Sequence, residues 1–338
     1  MMRYLIFPIF TLIFLMSCDD KKSSNKKFLT DASGAINNVS VVTENELWDG
    51  HIGDAIRQVL AKPIYGLPQD EPMFSISQIP PSVFSGFVTK NRTVLKIEVG
   101  KDKGIKITDD VYAKPQKVIV VSGKTKDDII AVLKANESKI IDTFRNAELR
   151  ERQRQMSKSP HTYTAIKEKL GLTLKFSSIY ETAKETESFF WFRKDITTGH
   201  SHIMIYELPF EAIKEDDSVS TVNQIIKIRD SIGRFYFKGR LDGTVNANGK
   251  TVSSFMITED AYAPFHATTI LDNKQAFETK GLWELTNDFM GGSFINYTVK
   301  DELNNRWVGI EGFVFAPSVD KRNYMLELES VIKSLKID

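Results

Sequence analysis

Hydrophobic positions in this chain follow three periods, and each predicts a different element. A plain apolar run, Leu5 to Met16, is broken only by Pro8 and Thr11. Farther on, Ile52, Ala55, Ile56, Val59 and Leu60 recur at helical spacing, which predicts a helix from about Gly50 to Lys62, ended by Pro63. Leu95, Ile97 and Val99 alternate with Lys96 and Glu98, as in a strand with one wet face. Val118 to Val121 shows no alternation and predicts an interior strand covered on both sides. Val39 to Thr43, Met73 to Ser77 and Ile105 to Val111 add strands, with a short helix at Val83 to Phe87. Thr125 and Asp128 have capping-box spacing and open a helix carrying Ile129, Ile130, Leu133, Ile140, Ile141 and Phe144 on one side. It runs on into the charged stretch 148–154 and breaks at Ser157 to Pro160.

After a helix over Thr162 to Leu170, strands are expected at Leu172–Phe176, Ser188–Arg193 and Ser201–Leu208. Val222, Ile225, Ile226, Arg229 and Ile232 then mark a helix from Ser220 to Tyr236. Strands follow at Val252–Thr258, Phe277–Thr286, Phe294–Val299 and Arg306–Phe315, and a closing helix from Asp320 turns Tyr324, Leu328, Val331, Ile332 and Leu335 inward. Strands outnumber the connections that can hold crossover helices. The expected fold class is therefore α+β, with mostly antiparallel sheets and helices packed on them in two layered sub-domains. The expected organisation is a signal peptide over 1–17, a flexible tether over 18–37, and α+β domains over 38–158 and 159–338.

The opening run is too short to span a bilayer, which takes about 20 apolar residues. With Arg3 before it and Leu15-Met16-Ser17-Cys18 closing it, the segment has the form of a bacterial lipoprotein export signal. Cys18 is then the lipidation site. A diacylglyceryl and palmitoyl-type anchor at the mature amino terminus makes the membrane a partner. The polar stretch from Asp19-Asp20 to Lys27 has nothing apolar to bury and reads as a solvated tether. The expected location is the cell envelope, at the outer membrane, in its periplasmic or surface leaflet.

Charge removes some functions. With 45 basic and 44 acidic residues the formal charge is +1, so no global field collects nucleic acid. The single cysteine excludes disulfides and leaves no free thiol once acylated.

The candidate chemistry is sparse. Gly123-Lys124-Thr125 follows a strand like the tail of a phosphate loop, but Val118 stands where that loop needs a glycine, and a capped helix start explains it. His200 and His202 lie two apart on one strand face and are candidate metal ligands, although no third ligand is evident and a solvent-exposed pair is the alternative. His51 and His266 are isolated. Glu311 shares a strand face with Trp307, Phe313 and Phe315, an apolar setting that raises a carboxyl pKa. Asp288, before Gly291-Gly292, is a candidate second carboxylate for glycoside hydrolysis. The competing role for Glu311 is to bind a basic side chain and hold the sheet. Trp48, Trp191, Trp283 and Trp307 are candidate groove or core residues. Trp48, Pro80, Pro81, Trp283, Gly291 and Gly292 form the candidate ligand or partner surface, and the cluster 150–154 faces solvent, a partner or lipid heads. No cofactor is expected.

Trp48-Asp49-Gly50…Gly53, Gly66-Leu67-Pro68-Gln69, Glu71-Pro72, Ile79-Pro80-Pro81 and Ala113-Lys114-Pro115-Gln116 occur in order. Gly281-Leu282-Trp283, Asp288-Phe289-Met290-Gly291-Gly292 and Glu311 to Pro317 follow. Together they resemble the Bacteroidota lipoprotein family known as domain of unknown function 4837, from about Val39 to Leu335, with Ser293 departing from the pattern. The resemblance implies envelope localisation and a shared fold, and it carries no activity. The C-terminal half is similar, more loosely, to PsbP-like sandwiches. The expectation is a lipid-anchored, non-catalytic binding or assembly module for an envelope protein or glycan. The alternative is an envelope hydrolase using Glu311 and Asp288.

Overall fold

A computed structural model describes residues 28–338. The expected export signal, Cys18 and the expected tether up to residue 27 lie outside the described residues. The rest of the expected flexible tether is instead pinned to the fold, the Ala32 and Ser33 amides donating to the Lys114 and Lys90 carbonyls and Asn37 being buried. Two sheets organise the chain, and the expected antiparallel pairing holds for the larger one but not for the smaller.

The smaller sheet uses β1 (Asn38–Val42), β2 (Ser75–Ile79), β3 (Thr93–Val99), β4 (Gly104–Asp109) and β5 (Lys117–Gly123), in the order β2-β1-β3-β5-β4. Three of its pairings are parallel and only β4–β5 is antiparallel, so this sheet departs from the antiparallel rule that governs the larger one. The thirty-odd residues between β1 and β2 hold α1 (Asn45–Trp48) and α2 (His51–Leu60), which gives the length a parallel crossover needs. α2, α3 (Lys126–Ala135) and α4 (Glu137–Met156) cover the face carrying Val41, Leu95, Ile119 and Val121. Phe84 and Tyr112 pack over Val42, Val94 and Val118 on the other face. β5 is interior, as its unalternating run predicts. The helix expected to run unbroken from Lys126 to Arg154 is in fact two, because Asn136 ends one and starts the next, its side chain donating to the Val132 carbonyl at 2.9 Å.

The chain continues with α5 (Ala165–Leu170), β6 (Leu172–Thr173), β7 (Glu181–Glu185), β8 (Phe189–Ile196) and β9 (Gly199–Pro209). Then come α6 (Ser218–Tyr236), β10 (Met256–Thr258), β11 (Phe265–Leu271), β12 (Lys274–Leu285), β13 (Gly291–Asp301), β14 (Arg306–Phe315), α7 (Arg322–Ile332) and β15 (Lys336–Ile337). The larger sheet is fully antiparallel, ordered β10-β12-β13-β14-β9-β8-β7, with β11 also on β12. Successive residues on β8, β9, β13 and β14 alternate between two cores, one on each face. Phe189, Met204, Tyr206, Phe294 and Phe313 face α6, while Phe190, Ile205, Ile295, Ile310 and Val314 face α7. The fold class is α+β, and among the described residues no helix is long and apolar enough to cross a membrane.

α7 joins the two sheets, because one side packs on β13 and β14 and the other on α4. Its first two amides, from Lys321 and Arg322, donate to the Glu71 carboxylate at 2.7 and 2.8 Å, so a residue of the loop before β2 caps this helix. Arg145 of α4 pairs with buried Glu329, and Arg152 with Glu327 at 3.1 Å. Burial alone would raise the Glu329 carboxyl, but Arg145, Lys280 and Lys333 hold it down at about 2.

Candidate functional site

β14 carries Glu311 where the strand pattern puts it, between Trp307 and Phe313 on the face under α6. The side chain is 2% exposed. Its Oε1 approaches Arg229 Nη2 of α6 at 3.0 Å, close enough for an ion pair but off the line of a hydrogen bond, and Asn296 Nδ2 donates to Oε2 at 3.2 Å. Arg229 also lies over the Phe294 ring at 3.9 Å and donates to Thr258 Oγ1 at 3.0 Å. Asn296 donates in turn to the Tyr206 hydroxyl at 2.8 Å. Gly309 makes room for this network, since a Cβ there would meet the Tyr206 ring at 2.0 Å. Burial pushes the Glu311 carboxyl up, against the pull of Arg229.

Asp288 is not its partner. In register Glu311 faces Asn296, while Asp288 sits in the hairpin turn before Gly291. The strand from Gly291 to Asn296 alone spans about 17 Å at roughly 3.4 Å per residue. Paired hydrolytic carboxylates lie within about 10 Å of one another. The hydrolase arrangement therefore has no geometric basis.

Asp288 instead helps to line a cavity of about 360 Å³ at the edge of the same sheet face. Trp191 and Arg193 of β8, His200 and His202 of β9, and Phe315 of β14 reach it from the sheet. The segment after α6 adds Phe237, Lys238 and Arg240, and the β12–β13 turn adds Asp288, Phe289 and Met290. The two histidines do share a face, with ring centroids 6.0 Å apart. The expected solvent-exposed pair is corrected for His202, which is 2% exposed, stacked on Phe313 at 4.5 Å and edge-on to Phe237 at 5.5 Å.

Trp191 Nε1–H donates to His202 Nδ1 at 3.1 Å, so that nitrogen is an acceptor and the ring proton sits on Nε2, which is buried without a partner. Burial, with smaller contributions from His200 and Arg193, drops the His202 pKa to about 3, so this ring is a neutral donor. His200 contacts Asp195 at 3.1 Å and Arg193 at 3.0 Å. Among the described residues no group of three His, Cys, Asp or Glu side chains converges as a metal site.

The cations around the cavity are each met by an acid. Arg193 faces Asp195 at 3.0 Å, Arg240 faces Asp288 at 3.4 Å, and Lys238 faces Asp242 at 4.0 Å. Phe289, at the tip of the turn, is wholly exposed. Sequence reasoning left Phe289, Phe237 and Arg240 aside, yet a bare phenylalanine in a turn, where polar residues belong, was itself a signal.

The remaining candidates divide between core and surface. Trp283 is 1% exposed and donates to the Val314 carbonyl at 3.3 Å, so it is core and not ligand surface. Gly291 and Gly292 are extended residues of β13, not a turn. A Cβ on Gly292 would meet the Val314 carbonyl oxygen at 2.0 Å, which explains glycine there by strand contact alone. Trp48 is half-buried on α1, with Arg57 over its ring at 4.6 Å. Pro80 and Pro81 lead into a short turn of helix whose neighbours Val83 and Phe87 are 58% and 71% exposed. Trp307 is buried and donates to the Phe210 carbonyl at 2.9 Å. Thr125 and Asp128 form the capping box, and a Cβ on Gly123 would meet Asp128 at 2.6 Å, so Gly123-Lys124-Thr125 is a tight helix entry. His51 is exposed, and His266 stacks on Phe277. In the basic cluster, Arg154 pairs with Glu151 at 2.7 Å.

The family model described as Domain of unknown function (DUF4837) matches residues 159–334, more than half of the chain. The chain belongs to that family. A second model, Domain of unknown function (DUF8532), matches residues 32–157. The DUF4837 match is thus shorter than the motifs suggested, and those from Trp48 to Gln116 fall under the second model. The larger sheet, with Glu311 and the cavity, lies within the DUF4837 match. A comparison with curated proteins finds no match. Among solved structures the chain is similar to the Saccharomyces cerevisiae Ran-binding protein Mog1p, at 7% identity and a TM-score of 0.31, covering 49% of this chain and 89% of that one. A mutant of protein Mog1 is similar at 8% identity and a TM-score of 0.29, covering 49% and 90%.

Proposed function

We propose that this chain is a lipid-anchored binding protein of a bacterial cell envelope, which holds a ligand in the cavity between Trp191, His202 and Asp288 without turning it over. One observation carries the second half: both carboxylates that the sequence offers for catalysis are engaged, Glu311 sealed under α6 against Arg229 and Asp288 set against Arg240. What the cavity presents instead is aromatic surface, a neutral unpartnered donor and a bare phenylalanine, the lining of a site that grips.

The anchor is supported by Arg3, the apolar run and Ser17-Cys18, and it puts the protein at the outer membrane in our proposal. The described chain begins at Phe28, 91% exposed, and Ser33 then pairs with Lys90 and Arg92, close in sequence to exposed Val83 and Phe87. That end of the smaller sheet would face the lipid.

Two measurements test the proposal. Mass analysis of the mature amino-terminal peptide should find acyl chains on Cys18, and Cys18→Ser should move the protein to the aqueous fraction. Native mass spectrometry of protein taken gently from its own membrane should find a bound adduct that is absent from Trp191→Phe. An unmodified thiol would overturn the anchor, and identical spectra for the two proteins would overturn the binding site.

A further inference from the structure

We infer that the ligand of this cavity is a neutral saccharide unit, an inference that rests on the binding role proposed above. Three groups of observations carry it.

The first is the charge balance of the rim. Arg193, Lys238 and Arg240 each face a carboxylate within 4.0 Å, Asp195 and Asp242 from beyond the lining and Asp288 from within it, so the positive charge of the rim is paired and not free to collect an anion. A hydrocarbon guest fares no better, because it would strip water from these pairs and return no hydrogen bonds. A hydroxyl suits such a pair, since it donates to the carboxylate and accepts from the guanidinium at once. A sugar ring presents several hydroxyls at fixed spacing, and vicinal hydroxyls can engage Arg240 and Asp288, which meet through one contact at 3.4 Å.

The second is the aromatic surface. Sugars also have an apolar face of C–H groups, which binds aromatic rings. Trp191 and Phe315 supply rings from the sheet, and Phe289 adds one from the tip of the turn, its side chain entirely in solvent. A phenylalanine left bare beside a cavity is costly to keep exposed and gains its burial when a guest arrives.

The third is His202. Its Nδ1 is occupied by the Trp191 indole, which leaves one N–H on a buried ring that lines the cavity and has no acceptor. A hydroxyl oxygen is the neutral acceptor that satisfies it, and a buried donor of this kind is otherwise an uncompensated cost.

The test is titration of the folded chain, followed by calorimetry and by tryptophan emission. Cellotetraose, maltotetraose and mannotetraose are offered free in solution, and a dihexosyl diacylglycerol is offered in phosphatidylcholine vesicles. Tetragalacturonate and dodecanoate serve as the anionic and hydrocarbon competitors. Saturable binding of a neutral oligosaccharide is expected, and binding confined to the vesicle arm would identify a glycolipid headgroup as the source of the same chemistry. Phe289→Ala and Asp288→Asn should each weaken binding at least tenfold, and Phe289→Ala, at a wholly exposed position, should leave the melting temperature unchanged. Preference for tetragalacturonate or dodecanoate, or no saturable binding of any neutral saccharide, would overturn the inference. So would wild-type affinity in both variants. An adduct in the native mass spectrum would survive any of these results, so the binding role and its ligand class fail separately.

Discussion

Glu329→Gln is the perturbation whose size follows most directly from the structure. Glu329 is 2% exposed on α7 and meets Arg145 of α4 across the junction between the two sheets, with Lys333 at 3.0 Å on its own helix. Its carboxyl is held at about 2 in the folded protein, against an ordinary value of 4.5. At 1.36 kcal/mol per pKa unit, the ionised form stabilises the fold by roughly 3 kcal/mol. A second route gives the same size, since removing one member of a buried ion pair leaves its partner uncompensated at a cost of about 3–5 kcal/mol.

The pKa is lowered on folding, so this stabilisation is fully present above the unfolded value, near 4.5. It is lost as pH falls toward 2. Urea denaturation at pH 7 should therefore find Glu329→Gln less stable by roughly 3 kcal/mol. The gap to wild type should shrink steadily between pH 4.5 and 2, because wild type alone loses the charge. Equal gaps at pH 7 and pH 2.5, or a gap under about 1 kcal/mol at pH 7, would refute the reasoning.

Other perturbations address separate parts of the structure. Glu71→Ala removes two charge-assisted bonds from the α7 amides, and should cost about 2 kcal/mol in the same urea assay, while a loss within experimental error would deny the cap. Arg229→Met strips the counter-charge from Glu311 and should cost about 3 kcal/mol at pH 7. Part of that loss should return at pH 4.5, where the buried carboxyl is more readily neutral, and a loss independent of pH would show that packing over Phe294 is the whole effect. The His202 imidazole proton signals should stay fixed from pH 8 down to about 4.5, because burial holds its pKa at about 3, and a midpoint near 6.5 would mean the ring is open to water.

Periodicity made most of the elements legible. β14 runs from Arg306 to Phe315 as its pattern requires, and the capping box opens α3 at the expected residue. Two edge strands were missed for physical reasons. β7 reads Glu-Thr-Ala-Lys-Glu, wet on both faces, with no apolar position to mark it. β11 is largely exposed, and its one clear signal was the pair Asp272-Asn273, both left-handed, which makes the two-residue hairpin into β12. The parallel pairing of β1 with β2 and β3 was not legible, because a short covered strand looks the same in either sense.

The candidate site was legible in fragments. Spacing alone put His200 and His202 on one face, and aromatic alternation marked the setting of Glu311. The fragments could not be assembled because their partners come from distant segments. Arg229 even has the spacing of the apolar stripe of α6, and only the folded helix shows that this position points a guanidinium at Glu311. Asp288 and the tip Phe289 reach the cavity through the β12–β13 turn, whose position depends on a register fixed by strands on either side.

The distribution of charge links the fold to its proposed role. The formal charge is +1, and buried acids beside both sheets are compensated in place, Glu329 by Arg145, Glu311 by Arg229 and Glu148 by Arg92 at 3.0 Å. The cavity rim follows the same rule, pair by pair. A protein built this way exerts little long-range pull, and complementary fields are what raise association rates and favour charged partners. Selection must then happen at contact, through ring stacking and the matching of donors to acceptors. The anchor proposed above would keep the protein among its ligands and remove the need for steering, so a weak field and an anchored amino terminus would suit the same job. Saccharide binding here should accordingly change little as salt is raised from low to physiological levels, whereas a site recruiting anions would lose affinity steeply. A strong salt dependence of cellotetraose or maltotetraose binding would break the link between the compensated rim and the neutral ligand.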